Sequence, residues 1–567
     1  METQVKEKPS VRRWTIAVKA VLFLAIGVVL FFCLQKLFVP NDLYYRLKID
    51  YFSTQQEDDD LQVLLTGSSH MAQGVFPMQM YEEEGILSYN VATSSQNIEG
   101  SYYLLEQALN RHDYQVFVLD VSGLFFSENS GKDSLPKMRF VLDAMPLTWD
   151  KVEAAQTYAN LMGEDHAVNF WSVIFPILQY HGRWDELSIS DFANQMGSAD
   201  FFDKGGLISP YTVGGTWTEE SMNQVAEAML QSDTAITVTY DNGAESVSAE
   251  ADTLYSDEIT QENLDWLLKI QALCQQHNCE LLLVKVPCIF GPNTEWSSWT
   301  EQRSQTMKEV AQTYGMEFLD LLYDVDLGID VAQDCKDGGA HLNYKGAQKV
   351  TSFLGAYLKE HYGLEERTND DFAQSLQSYH QLTQVADRVM TTDMVEYLTE
   401  LTEHRDNLVI ALSVGGDVQG GLNPVERRAL QKLGLQLDFE TSPAYRDSYV
   451  AVLDGGSVVY ESASNREITY SYETDSGTTL ELNSQGFLVG DSASITVDGQ
   501  ILSSGSGLNL VVLDRASGLP VDGVRFATCF AEEDNANHEA IRDVLNTGTM
   551  FWAYEAYLMH LEGGLSF

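Results

Sequence analysis

The stretch Leu61-Gln62-Val63-Leu64-Leu65-Thr66-Gly67-Ser68-Ser69-His70 decides how this chain folds. A short, mostly apolar run stops at a glycine, and two serines, residues that favour helix N-caps, follow it. The pattern predicts a strand over Leu61–Thr66, a turn at Gly67 and the start of a helix. A serine at such a turn presents its hydroxyl at the end of the sheet, beside the unpaired N–H groups of the first helical turn. Ser69 is therefore a candidate nucleophile.

Outward from this point the chain alternates. Ile86–Val91 reads as a strand, Tyr102–Asn110 as a helix and Val116–Val121 as a third, buried strand. Such alternation implies a parallel sheet covered by helices on both faces, an α/β domain. From about 127 to 250 the rhythm breaks. This part carries Trp149, Trp171, Trp184 and Trp217, and Asp241-Asn242-Gly243 marks a hairpin between Thr237–Tyr240 and Ser246–Ser248. It reads as an insertion, either a lid over the site or a helical cap with structural duties only. Within it, the cluster Tyr180-His181-Gly182-Arg183-Trp184 is either part of a substrate groove, with Trp184 stacking on a sugar face, or a capped helix end. The α/β rhythm then resumes with a helix over Thr260–Gln276, a strand over Glu280–Val286, a helix over Thr300–Tyr314 and a strand over Glu317–Leu322. Val350, Phe353, Leu354, Tyr357 and Leu358 recur at helical spacing, so Gly346–His361 is an amphipathic helix closing the domain.

Just before that helix stands Asp337-Gly338-Gly339-Ala340-His341-Leu342-Asn343. Ser69 and His341 thus lie at the two ends of one α/β domain, and serine-based acyl transfer needs such a nucleophile and base. Neither residue alone carries this; the pairing does.

The α/β domain spans 41–363. Its entry, Asn41–Asp60, reads as a short amphipathic helix and stalk. Residues 364–384 are polar and read as a linker. The remainder, 385–567, opens with helices around Asp393–His404 and Pro424–Leu433. It then turns often, with strands predicted at Asn407–Ser413, Tyr449–Leu453, Val458–Tyr460, Ile468–Glu473, Thr478–Leu482, Ala493–Val497 and Leu508–Leu513. This is a β-rich α+β domain.

The 567 residues carry a net charge of −49, which excludes a nucleic-acid-binding surface and is otherwise read as colloidal solubility. Residues 1–36 reverse the sign, with Lys6, Lys8, Arg12, Arg13, Lys19 and Lys36 against two acidic residues. From Ala20 to Leu34 every residue is apolar or glycine. With Trp14, Leu37 and Phe38 extending the run, residues 1–40 read as a cytoplasmic tail and a single transmembrane helix. The N-terminus is then inside and the bulk of the chain outside the cell membrane. A cleaved signal peptide is the rival reading, but Gln35-Lys36-Leu37-Phe38-Val39-Pro40 offers no small-residue cleavage site. The six cysteines form no CxxC pair, so no structural zinc site is expected, and free buried thiols are the favoured state; no other metal and no cofactor are expected.

Gly67-Ser68-Ser69-His70 resembles the first sequence block of the SGNH/GDSL hydrolase superfamily, Tyr89-Asn90-Val91-Ala92-Thr93-Ser94-Ser95-Gln96 its second, and Asp337 to Gly346 its last. The resemblance covers roughly Leu61–Gly363. It is nearest the membrane-anchored SGNH proteins around the D-alanyl-transfer protein of teichoic-acid synthesis and the alginate O-acetyltransferases. It implies a flavodoxin-like sheet, Ser69 as nucleophile, His341 as base, Asp337 as the acid orienting it, and backbone N–H groups of Ser69 and Ser95 as oxyanion donors. The implied partners are an acyl donor or a cell-envelope glycan and an integral-membrane acyltransferase. Three departures stand out. Asp337 is four residues before His341 rather than three, with Asp334 as the fallback. Ser95 replaces a glycine. The third block, Asp120-Val121-Ser122-Gly123, lacks its asparagine, so that donor falls to Ser122, Asn97 or Gln96. A degenerate SGNH scaffold that binds glycan without catalysis is the alternative. Ser506–Asp514, Val524–Thr528, Asn407–Ser413 and the blocks around Leu422–Leu430 and Tyr445–Tyr449 resemble the ILEI/PANDER domain, with their order implying a circularly permuted or split domain. That likeness implies carbohydrate binding, against a plain packing module.

Overall fold

The computed structural model describes residues 9–40, 43–54, 60–125, 135–187, 203–209, 235–241, 244–250, 258–289, 295–336, 339–436, 446–528 and 538–542, with isolated positions at 220, 223–224, 227 and 293. Asp337, Trp217, Asn242, Gly243 and Cys529 lie outside the described residues.

The chain begins with α1 (Pro9–Phe38). Its segment Ile16–Gln35 is long and apolar enough to cross a membrane. α2 (Leu43–Thr54) follows. The predicted stalk is instead part of the folded domain: Ile49 and Phe52 are buried in its core, and Tyr89 Oη donates to the Lys48 carbonyl at 3.1 Å. The sequence reading missed this because Lys48 and Asp50 made the segment look solvated. Lys48 is fully buried, its Nζ donating to the Gly205 carbonyl at 2.9 Å. Burial lowers its pKa to about 7, and the nearby Asp203 offsets only part of that. Between that value and the roughly 10.4 of an unfolded lysine, the unfolded chain holds more protons. Stability of this domain is therefore expected to rise as pH increases from about 7 towards 10. In Lys48→Met the rise should flatten, as measured by denaturant midpoints of the full chain at pH 7 and 9.5.

The α/β domain is built from β1 (Val63–Thr66), α3 (Ser69–Gly74), α4 (Pro77–Glu84), β2 (Ser88–Asn90), α5 (Ile98–Leu109) and β3 (Val116–Asp120). The inserted α6 (Arg139–Leu142), α7 (Trp149–Met162), α8 (His166–Ile174) and α9 (Ile177–Tyr180) come next, then the hairpin β4 (Ala235–Asp241) and β5 (Ala244–Glu250). The second half is α10 (Gln261–Gln276), β6 (Glu280–Lys285), α11 (Glu295–Tyr314), β7 (Glu317–Asp320), α12 (Val331–Asp334), the two-residue strands β8 (Cys335–Lys336) and β9 (His341–Leu342), and α13 (Tyr344–Tyr362). The main sheet is parallel throughout, in the order β2-β1-β3-β6-β7. Counted within the sheet this is 2-1-3-4-5, a doubly wound order whose direction reverses between β1 and β3. Ligands bind in the crevice beyond the carboxyl ends of the strands at such a reversal. β1 and β3 are buried along their whole length, as their continuous apolar runs require.

The segment read as a linker is mostly helix. α14 (Asp370–Met390) buries Phe372, Tyr379, Leu382, Val385, Ala386 and Val389. It packs on the first domain through Phe372 against Tyr81, with ring centroids 5.2 Å apart, and through Asp371 to Lys204 Nζ at 2.5 Å. Interspersed Gln, Ser and His residues hid this helical period from the sequence reading. α15 (Met394–His404), β10 (Leu408–Gly415) and α16 (Pro424–Leu433) follow. The chain then forms β11 (Ser448–Asp454), β12 (Ser457–Ser464), β13 (Ile468–Glu473), β14 (Thr479–Ser484), β15 (Ala493–Val497), β16 (Gln500–Gly505), β17 (Gly507–Asp514), β18 (Pro520–Phe526) and β19 (Ala540–Ile541). A six-stranded antiparallel sheet, β12-β11-β10-β17-β18-β19, faces a four-stranded one, β13-β14-β15-β16. Val409, Ala411, Val450, Leu480, Ile495 and Val511 fill the space between them. The alternate residues of the larger sheet, among them Ile410, Leu412 and Val512, join the helix-side core.

Candidate active site

Gly67 makes the site's first turn. Its φ is +143°, and a Cβ there would come within 2.5 Å of the Asp120 Cβ, so the ends of β1 and β3 meet only because this residue has no side chain. The chain then enters α3. Ser68 caps that helix, its Oγ accepting the His70 N–H at 3.3 Å. Ser69 is its first residue, so its own N–H is one of the donors that helix geometry leaves without an intrahelical acceptor.

At the other end of the domain, the short hairpin of β8 and β9 pairs Lys336 with His341. Asn343, fully buried, caps α13 by accepting the Lys345 and Gly346 N–H groups, and its Nδ2 donates to the carbonyls of Gln333 and Cys335. Gly346 allows the helix to sit against the Asp334 carbonyl, which a Cβ would approach to 2.2 Å. Ile289 N–H donates to the Gly339 carbonyl at 3.0 Å and ties the loop to the end of β6. These constraints bring His341 Nε2 to 2.8 Å from Ser69 Oγ. Two residues 272 positions apart are thus in hydrogen-bond contact, the geometry a serine nucleophile and its base require.

The orienting acid expected at Asp337 lies outside the described residues. The fallback, Asp334, is committed elsewhere: its carboxylate accepts Lys349 Nζ at 2.5 Å and the Asp330 N–H at 2.6 Å.

The oxyanion side divides the expected donors. Ser95 has φ +48°, the left-handed conformation that glycine adopts more freely than serine. Holding a serine there costs about 1 kcal/mol, and Ser95→Gly is expected to raise the unfolding midpoint by that equivalent. An unchanged or lowered midpoint would contradict the strain. The side chains expected to replace the missing asparagine are turned away. Asn97 Oδ1 caps α5 through the Gly100 N–H, and its Nδ2 points to the Met138 sulfur. Gln96 bridges Thr66, Ser101 and Thr93 within the core. Ser122 Oγ donates to Asp120 Oδ1 at 3.1 Å. The Asn97 and Ser122 side chains thus have other partners than an oxyanion in this structure. The physical reason is local: Asn97 begins a helix, and Ser122 sits beside a buried carboxylate that needs donors.

Two residues of the site were not singled out from sequence. Asp120, 1% exposed, accepts Ser68 Oγ at 2.9 Å, Ser122 Oγ at 3.1 Å and the Val286 N–H at 3.5 Å. His70 stacks on His341, with centroids 4.8 Å apart and planes 24° from parallel, and its Nδ1 lies 2.9 Å from Ser68 Oγ. Ser68 has one proton and gives it to Asp120, so His70 Nδ1 is the donor to Ser68. The chain Asp120–Ser68–His70 runs beside the Ser69–His341 pair and holds the ring on which His341 rests. The only signal in the sequence was the polarity of Ser68 and His70 flanking Ser69.

His181, Arg183 and Trp184 fall on a 3-10 turn, His181–Asp185, that contacts the end of α1: Arg183 Nη1 donates to the Phe38 carbonyl at 3.0 Å, and Trp184 is exposed. A cavity of about 480 Å³ lies in the C-terminal part and is lined by Gln377, Gln381, Gln384, His404, Asp454 and Arg515 among others. The contact between Ser69 and His341, rather than cavity size, locates the candidate site.

No protein-family model matches this chain, and no curated protein matches it either.

Proposed function

We propose that this chain is a membrane-anchored, extracellular SGNH-type serine acyltransferase or esterase acting on acyl esters of a cell-envelope polysaccharide. The observation that carries the reading is the 2.8 Å contact between Ser69 Oγ and His341 Nε2 at the end of β1. In the reaction, Ser69 Oγ attacks the acyl carbonyl while His341 Nε2 takes its proton. The carbonyl oxygen becomes an oxyanion facing the Ser69 and Ser95 N–H groups. The intermediate then collapses, the leaving alcohol receives the proton from His341, and the acyl group remains as an ester on Ser69. A second hydroxyl, from a sugar or from water, gives its proton to His341 and takes the acyl group, and His341 returns that proton to Ser69 Oγ as the ester bond breaks. Placement of α1 in the membrane, with the acidic bulk outside, sets this chemistry at the cell envelope and favours transfer over free hydrolysis.

The test is the acyl-ester content of envelope polysaccharide in cells whose only copy carries Ser69→Ala. A changed content supports the reading, and an unchanged content in a strain where deletion changes it would refute catalysis. In that case the second reading, a glycan-binding protein on an inert scaffold, gains support from the polar cavity of the C-terminal part. Its glutamine, carboxylate and guanidinium lining suits hydroxyl-rich ligands, and its volume is that of a small-ligand site.

A further inference from the structure

The inserted helices carry an apolar surface that the proposed chemistry does not use. α8 reads His-Ala-Val-Asn-Phe-Trp-Ser-Val-Ile and is apolar around most of its circumference. One face points inward: Ser172 and Val173 are buried, and Arg139 holds Ser172 through its Oγ at 3.1 Å and its carbonyl at 2.9 Å. The other face points out. Val168, Trp171, Phe175 and Leu178 follow one another at helical spacings of three, four and three, a single stripe that runs on from α8 into α9. Trp171 and Phe175 stack with centroids 5.7 Å apart and planes 5° from parallel. Val168, Trp171 and Leu178 are each about half exposed, and Trp184, on the turn that follows, is 71% exposed. Such apolar side chains gain by being covered, and here they stand in water. A contiguous patch of this kind marks a contact surface.

Its place on the molecule identifies what covers it. Phe175 meets Phe31 of α1 edge-on at 5.5 Å, the Ile177 N–H donates to Gln35 Oε1 at 2.9 Å, and Arg183 reaches the Phe38 carbonyl. The apolar span of α1 ends at Gln35. Phe31 and Gln35 are four residues apart, about 6 Å along a helix. The stripe is therefore fastened to the last turn of the span and its exit, the level at which a bilayer passes from acyl chains to headgroups. Tryptophan favours that level, where its ring is apolar and its N–H can meet water or headgroup oxygens. The attachment is braced from behind: Tyr180 Oη donates to Asp143 Oδ2 at 2.6 Å, and Arg139 and Arg46 both donate to Tyr180 Oη at 3.1 Å. α2, which carries Arg46, packs in turn into the core of the α/β domain.

We infer that the face formed by α8, α9 and the His181–Asp185 turn is a membrane-seating surface that rests in the headgroup region of the leaflet from which α1 emerges. It holds the α/β domain at a fixed height and tilt, so that Ser69 addresses acyl groups presented at the membrane. The inference rests on the anchor reading of α1 and goes beyond it, because a tether alone would leave the domain free to tumble.

The test uses the full chain in vesicles of brominated phosphatidylcholine, compared with the unbrominated lipid, for wild type and for Trp14→Phe, Trp171→Phe and Trp184→Phe. Bromine quenches only tryptophans in contact with lipid. The quenched share of the emission should fall in Trp171→Phe and in Trp184→Phe, each by roughly the share of one tryptophan in nine, as it does in Trp14→Phe. A fall in Trp14→Phe alone would overturn the inference: α1 would be in the bilayer but the stripe would face a protein partner. No quenching in wild type would remove the anchor reading itself, and the seating surface with it.

Discussion

Ser69→Ala is expected to abolish acyl transfer, lowering turnover by on the order of 10⁴-fold or more, with the fold intact. The reason is stoichiometric. In the proposed reaction Ser69 Oγ supplies the bond that holds the acyl group between donor and acceptor, and it is the hydroxyl seen against His341 Nε2. Ser68, its neighbour, cannot substitute: its proton is committed to Asp120 and its oxygen caps α3. His341→Ala should cost a comparable factor, and the double variant little more than either single one, because nucleophile and base act as one unit. Turnover of an activated acetyl ester by the purified full chain, with unfolding midpoints measured in parallel, checks this. Losses that simply add in the double variant would contradict the shared role.

The second large effect falls on stability. Asp120→Ala removes the common acceptor of Ser68 Oγ, Ser122 Oγ and the Val286 N–H in a site that is almost fully buried. Orphaned buried donors are costly, and the expected loss is about 3–5 kcal/mol, a fall in melting temperature of roughly 6–20 °C for a domain of this size. Asp120→Asn keeps an acceptor and should lose less. Activity should fall in both, since Ser68 and His70 lose the group that fixes them. A melting temperature unchanged in Asp120→Ala would show that the carboxylate does not organise the crevice.

Much of the first domain was legible because its strands are short apolar runs ended by glycine or polar residues. The run before Gly67 could only be a buried strand, and the helix after Asn343 shows its period in Val350, Leu354 and Leu358. What escaped has physical causes. α14 hides its apolar stripe among glutamines and serines, and α2 buries a lysine, which no propensity anticipates. β16 (Gln500–Gly505) was overlooked beside the Asp498-Gly499 turn that pairs it with β15, because its exposed Ile501 breaks the alternation. At the site, Ser69 and His341 were readable from residue type and position. The stacking of His70 on His341 and the acceptor role of Asp120 depend on β1, β3 and β9 converging, which only the tertiary fold decides.

The most direct measurement is covalent labelling of the full chain with a fluorophosphonate, read by mass spectrometry of the peptide that contains Ser69. One adduct on Ser69, lost in Ser69→Ala and strongly slowed in His341→Ala, is the predicted result. Absence of an adduct, or an adduct on Ser69 whose rate ignores His341, would contradict the serine–histidine account.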